Sequence, residues 1–89
     1  MVRLTGWLRC KDAAELASVL RYLPEHVRLT LEEPGCAEFV VEQTDDPLAW
    51  RVSETFVDAA AFEVHQARTR ESEWFRATLG IAREFQRTG

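Results

Sequence analysis

EEPGCAEFVVEQTDDPLAWRVSETF, residues 32–56, is the stretch on which the fold turns. Pro34 and Gly35 stop whatever precedes them, since proline cannot continue a helix and glycine accepts a tight turn. The residues that follow, AEFVVEQ, send Phe39 and Val41 one way and Val40 the other, between Glu38 and Glu42. That is the period-two alternation of a strand. TDDP at 44–47 is turn chemistry, with short side-chain oxygens that bond nearby backbone and a proline that presets φ. LAWRVSETF then sets Leu48, Trp50, Val52, Glu54 and Phe56 against smaller or polar residues. Two strands about so short a turn predict an antiparallel hairpin.

Upstream, VRLTGWLRC (residues 2–10) also alternates, with Val2, Leu4, Gly6, Leu8 and Cys10 on one face and Trp7 on the more polar one. Asp12 and Glu15 form a capping box that opens a helix, whose apolar stripe is Leu16, Val19, Leu20 and Leu23. Pro24 is expected to end that helix or to start a second short turn, which leaves His26 in a polar loop at the surface. Downstream, Asp58 caps a helix that spaces Ala59, Phe62 and His65 three apart along one face. The helical region runs on to Trp74 and Phe75 with a break near residues 69–72. After Gly80, IAREFQR (81–87) closes the chain as a strand with Ile81 and Phe85 on one face.

The order is βαββαβ, which predicts an α+β, ferredoxin-like fold: a four-stranded antiparallel sheet with helices on one face, as a single domain over 1–89. The strands place apolar groups on both faces, so the uncovered face is expected to meet a second copy of the chain in a homodimer. At 89 residues the chain buries only roughly 60–65% of its unfolded surface, which adds weight to a partner subunit.

Eleven basic against fifteen acidic residues give a net charge of −4, which argues against a nucleic-acid partner, because phosphates need a basic patch. The cluster Arg68–Thr69–Arg70 runs straight into Glu71 and Glu73 and reads as a solvated helix end. Cys10 and Cys36 form no CxxC pair, and no signal peptide or apolar run suggests a membrane, so the expected setting is the cytoplasm with both thiols reduced. No ligand spacing for a metal, no phosphate loop and no nucleophile elbow is present.

His65 is the candidate for chemistry. Imidazole titrates near neutral pH, and a histidine on an apolar helix face is either a cavity group or a core side chain whose ring nitrogens are both satisfied. EPGC at 33–36, FVVEQ at 39–43, DP at 46–47, SETFVD at 53–58 and AAFEVHQ at 60–66, in that order and spacing, resemble the antibiotic biosynthesis monooxygenase family. Its members are small homodimeric ferredoxin-like proteins, also called dimeric α/β barrels, and include quinol monooxygenase-like proteins.

The resemblance implies oxygenation without a metal or organic cofactor. A small aromatic substrate of the quinol or anthrol kind loses a proton, and its anion reacts with dioxygen in a mostly apolar, shielded pocket. It assigns His65 as base or hydrogen-bond partner, and Phe39, Trp50, Phe56, Phe62 and Trp74 as candidate substrate-binding walls. The sequence departs from the pattern after the histidine: QARTRESEW (66–74) intervenes without a second histidine, so Gln66, Arg68 or Arg70 is expected at the pocket mouth. Heme-degrading relatives carry an asparagine on the first strand and an axial histidine after the helix break, and neither is present here. The alternative is a non-catalytic dimeric ligand-binding or stress-linked protein of the same fold; an isomerase or dehalogenase-like use of the pocket is a weaker one.

Overall fold

The computed structural model of the chain, residues 1–89, has four strands and three helices. Strands β1 (Val2–Arg9), β2 (Cys36–Gln43), β3 (Ala49–Phe56) and β4 (Ala82–Thr88) form one antiparallel sheet in the order β2-β3-β1-β4. Helix α1 (Ala13–Leu31) follows β1; α2 (Ala59–Arg70) and the short α3 (Glu73–Thr78) lie between β3 and β4. The βαββαβ order and the hairpin of residues 36–56 are those predicted, and the second helix breaks at Glu71–Ser72.

Register fixes the column of side chains beneath the helices. Val2 lies opposite Phe56, Leu4 opposite Glu54, Gly6 opposite Val52 and Leu8 opposite Trp50. At one end Leu8, Trp50 and Val52 pack with Val19 and Leu23 of α1 and Trp74 of α3. At the other, Val2 and Phe56 pack with Phe62 of α2. Each large apolar side chain so buried contributes about 1.5–3 kcal/mol.

Two backbone positions require glycine. Gly6, with φ of 154°, lies where β4 comes closest, and a Cβ there would stand 1.9 Å from the Glu84 carbonyl oxygen. At Gly35 a Cβ would come within 2.3 Å of Ala61 Cβ, so glycine lets the turn before β2 press against α2. The Val57 N–H donates to the Gly35 carbonyl at 2.9 Å and holds that contact. This close approach carries Glu33 to α2.

The structure corrects two expectations, both on α1. Pro24 does not end a helix: α1 continues through it to Leu31. Proline costs a helix interior about 3 kcal/mol or more. Here Pro24 lies on the exposed side, while Val19, Leu23, His26 and Thr30 form one buried stripe across it, and their burial outweighs the lost backbone bond. His26 is therefore buried, not a surface loop residue. The open face of the sheet carries Trp7 and Val40 among mostly polar side chains: Arg3, Arg9, Arg51 and Glu84 project there, and Trp7 lies under the guanidinium groups of Arg9 and Arg51 at 4.8 and 5.1 Å. No helix is long and apolar enough to cross a membrane.

Candidate functional site

Between the two apolar clusters the helices leave a cavity of about 290 Å³ against the inner face of the sheet. Leu4, Leu8, Phe39, Val41, Val52 and Phe85 supply its sheet side. Trp74 and Phe75 of α3 and His65, Gln66 and Thr69 of α2 supply the helix side, and His26 reaches in from α1. Glu54 and Arg83 border it from β3 and β4. A larger groove of about 710 Å³ crosses the opposite face of the sheet past Arg3, Trp7, Arg51 and Glu84. It is more open and lined mostly by polar side chains, and it gathers no buried titratable groups, so the smaller, deeper cavity is the candidate site.

Local chain signals place His65. The Asp58 side chain accepts from the Ala61 N–H at 2.8 Å and starts α2, which turns Phe62 and His65 inward one turn apart. His65 is 2% exposed, and its ring lies 4.7 Å from that of Phe56 and 5.7 Å from that of Phe39. Nδ1 is 3.1 Å from Glu33 Oε1, and the other oxygen of Glu33 accepts from Arg68 Nε at 2.5 Å. Burial pushes the imidazole below its ordinary pKa; Glu33 pulls it back up only in part, and Arg68 adds to the lowering. The ring is accordingly neutral: it donates Nδ1–H to the carboxylate and keeps its lone pair on Nε2. At Nε2 the nearest polar groups are the Thr69 hydroxyl at 3.4 Å and Glu54 Oε1 at 3.6 Å. One ring nitrogen is engaged and the other is only loosely met.

Glu54 is the residue the sequence reading passed over. It holds an inward position in β3, it is 7% exposed, and its Oε1 has no hydrogen-bond partner. Burial raises its carboxyl to about 7, with the negative charge of Glu33 adding to the rise and Arg83 opposing it. The group poised near neutrality in this cavity is thus the glutamate rather than the histidine. A signal was present, a charged residue in the buried phase of a strand between Val52 and Phe56.

His26 is the second residue missed. Its ring stacks on Trp74 at 5.2 Å and 11°, meets Phe39 edge-on at 5.5 Å, and lies 5.8 Å from His65. Burial, with positive Arg68 behind it, lowers its pKa to about 3, so it is a neutral ring. Its Nδ1 is buried without a partner. Arg68, expected to be solvated, is part-buried and joins Glu33 to the Thr30 hydroxyl at 2.8 Å, while Arg70 is exposed.

Of the residues singled out in the sequence, His65, Phe39, Trp74 and Gln66 come together at the cavity. Trp50 belongs to the apolar cluster with Leu8 and Val52, and Phe62 to the one with Val2. Phe56 backs the His65 ring from that second cluster without bordering the cavity. No three His, Cys, Asp or Glu side chains converge as metal ligands.

The model of the family described as antibiotic biosynthesis monooxygenase matches residues 1–77. No curated protein matches the sequence significantly. Among solved structures, a Deinococcus radiodurans protein provisionally named an antibiotic biosynthesis monooxygenase superposes with a TM-score of 0.82 at 20% identity, over 100% of this chain and 91% of that one. A Nitrosomonas europaea protein with the same provisional name gives 0.81 at 15% identity, over 100% and 97%. SnoaB, a cofactor-independent oxygenase from Streptomyces nogalater, gives 0.80 at 13% identity, over 99% and 90%. At these identities the superpositions establish a common fold.

Proposed function

The chain belongs to the antibiotic biosynthesis monooxygenase family, and from that premise we propose that it is a cofactor-independent monooxygenase acting on a small aromatic hydroxy compound, a quinol or anthrol, with dioxygen. The observation that carries the reading is the cavity itself, apolar on most sides, with Nε2 of a neutral histidine at its polar end, met only loosely by the Thr69 hydroxyl at 3.4 Å. Its volume lies at the lower edge of the roughly 300–1,000 Å³ usual for ligand sites. That favours a quinol of one or two rings over a larger anthrol.

The substrate's ring lies against Phe39 and Trp74 with its hydroxyl toward His65 Nε2, which accepts the hydrogen bond and acts as base. Loss of the proton makes the ring electron-rich. Dioxygen forms a C–O bond at a ring carbon, the O–O bond breaks, one oxygen stays as a quinone carbonyl, and the other leaves as water. The substrate gives up two hydrogens and gains one oxygen, so atoms and the four electrons taken by dioxygen balance. Glu33 holds the imidazole in the tautomer that frees Nε2, and Arg68 holds Glu33. Water exclusion by the surrounding side chains keeps the anion from being reprotonated by solvent. A homodimer in the cytoplasm is part of the same reading; SnoaB, the oxygenase that shares the fold, supports the chemistry by analogy.

Oxygen uptake by the purified protein over a panel of quinols and anthrols tests this, beside a His65→Ala variant with an unchanged oligomeric state. Uptake above autoxidation that falls roughly 10²-fold in the variant is the expected result for loss of a base. Background uptake throughout, with the compounds bound, would favour a non-catalytic ligand-binding protein.

A further inference from the structure

Glu54 is the only charged side chain that β3 turns toward the core. A glutamate buried for structural reasons is normally hydrogen-bonded or paired, because an unpartnered buried carboxylate is costly. Glu54 is neither: Oε1 is buried and unpartnered, and no ion pair reaches hydrogen-bond distance. Arg83, which faces it from β4, makes its hydrogen bonds instead to the carbonyls of Thr78 and Ile81 and to the Thr78 hydroxyl. The side chain borders the cavity, with Oε1 3.6 Å from His65 Nε2.

We propose that Glu54 is a second catalytic residue, whose carboxylate receives the hydroxyl proton of the bound aromatic and shares it with His65 Nε2, so that the pair rather than the histidine alone is the base. The inference rests on the monooxygenase reading for the fate of the anion and deepens it at the proton step. The substrate O–H bond breaks, an O–H bond forms on Glu54, and the electron pair stays on the aryl oxide until dioxygen takes it. The proton then returns to the oxygen that departs as water. The charged and imidazole groups around Glu54 fit this use, and the nearby Cys36 thiol, pushed up by burial, stays neutral beside it. Glu33 lies beyond His65 and disfavours the carboxylate, Arg83 from β4 favours it, and Arg68 neutralises Glu33 from behind. His26 from α1 stays neutral. A carboxyl at about 7 takes up and releases a proton at little cost near neutral pH.

The test binds 4-cyanophenol, whose nitrile band shifts on ionisation, to wild type, Glu54→Gln, Glu54→Asp and His65→Ala at pH 7, and reads the bound phenol by infrared spectroscopy. Wild type should ionise a larger share of the bound phenol than Glu54→Gln, with a protonated-carboxyl band absent from that variant, and Glu54→Asp should keep part of the excess. Equal ionisation in wild type and Glu54→Gln, or no binding to wild type, overturns the proposal. Oxygen uptake with 1,4-naphthalenediol separates this from the parent reading. Glu54→Gln should lower uptake roughly 10²-fold, and the double variant with His65→Ala should be no worse than either single one, as for groups acting as a unit. Uptake unchanged in Glu54→Gln overturns Glu54 and leaves the monooxygenase standing. Excess ionisation without uptake supports Glu54 as the proton acceptor and removes the monooxygenase.

Discussion

At one end of the sheet's inner face, Trp50 and Val52 pack with Leu8 beneath Val19 and Leu23 of α1. Two residues further along the same strand, Glu54 takes the next inward position and faces His65 with a bare Oε1. Backbone, alternation and depth are shared between the two places. What differs is the cover. Over Trp50 the α1 stripe supplies aliphatic side chains that close the space. Over Glu54, α2 and α3 leave a cavity into which His26, His65 and Trp74 project. A fold this small gives up packing in the middle of its core only where something else is gained, and the buried carboxyl and two neutral imidazoles mark that place.

The sharpest way to break this contrast is at its apolar end. Trp50→Ala should cost about 3–5 kcal/mol in urea unfolding, with a penalty that is the same at pH 5 and pH 8, since no titratable group is involved. A penalty that varied with pH would place Trp50 in the polar system instead.

Glu54→Gln should do the opposite. The wild-type carboxyl is raised from 4.5 to about 7 on folding, so its favourable contribution is complete below pH 4.5 and is lost as pH rises through 7. At one pKa unit per roughly 1.4 kcal/mol, the variant should gain about 3 kcal/mol over wild type at pH 8 and nothing at pH 4. A variant destabilised at pH 8 would show that Glu54 holds the fold together.

His26 works in the other direction. Its pKa falls from 6.5 to about 3 on folding, so its contribution is complete above pH 6.5 and is lost as pH falls through 3. At pH 5 roughly 2 kcal/mol of the contribution present at pH 8 should be gone, and His26→Phe, which keeps a ring on Trp74, should not show that loss. Equal acid sensitivity in the two proteins would count against a buried neutral His26.

The smallest effect on stability belongs to the open face. Trp7→Ser should change the unfolding free energy at fixed oligomeric state by within about 0.5 kcal/mol, as for other surface changes. Sedimentation tests the proposed homodimer on this face: the substitution should weaken self-association, and self-association left unchanged would count against this face as its interface.

Much of this was legible beforehand, for reasons that attach to particular residues. The hairpin of 36–56 was visible because both strands alternate and TDDP separates them; α1 and α2 announce themselves through Asp12 and Asp58. The path of α1 beyond Pro24 was not legible, because the stripe that carries it onward uses His26 and Thr30, polar residues that look solvated until the sheet covers them. Arg68 and Glu33 stand 35 positions apart and meet only because Gly35 lets their segments touch. His65 was legible through its helix face and family resemblance. Glu54 stood in plain view in the alternation of β3, but the depth of its burial depends on three helices that the strand pattern does not describe.

Isotope tracing tests the central reading most directly. The protein is supplied with oxygen-18 dioxygen and the quinol that gives the highest uptake in the panel, and the product is examined by mass spectrometry. One labelled oxygen in the quinone and one in water, at a rate above autoxidation and lost in His65→Ala, is the expected result. Unlabelled product, or labelling that proceeds equally in the variant, would contradict monooxygenation in this cavity.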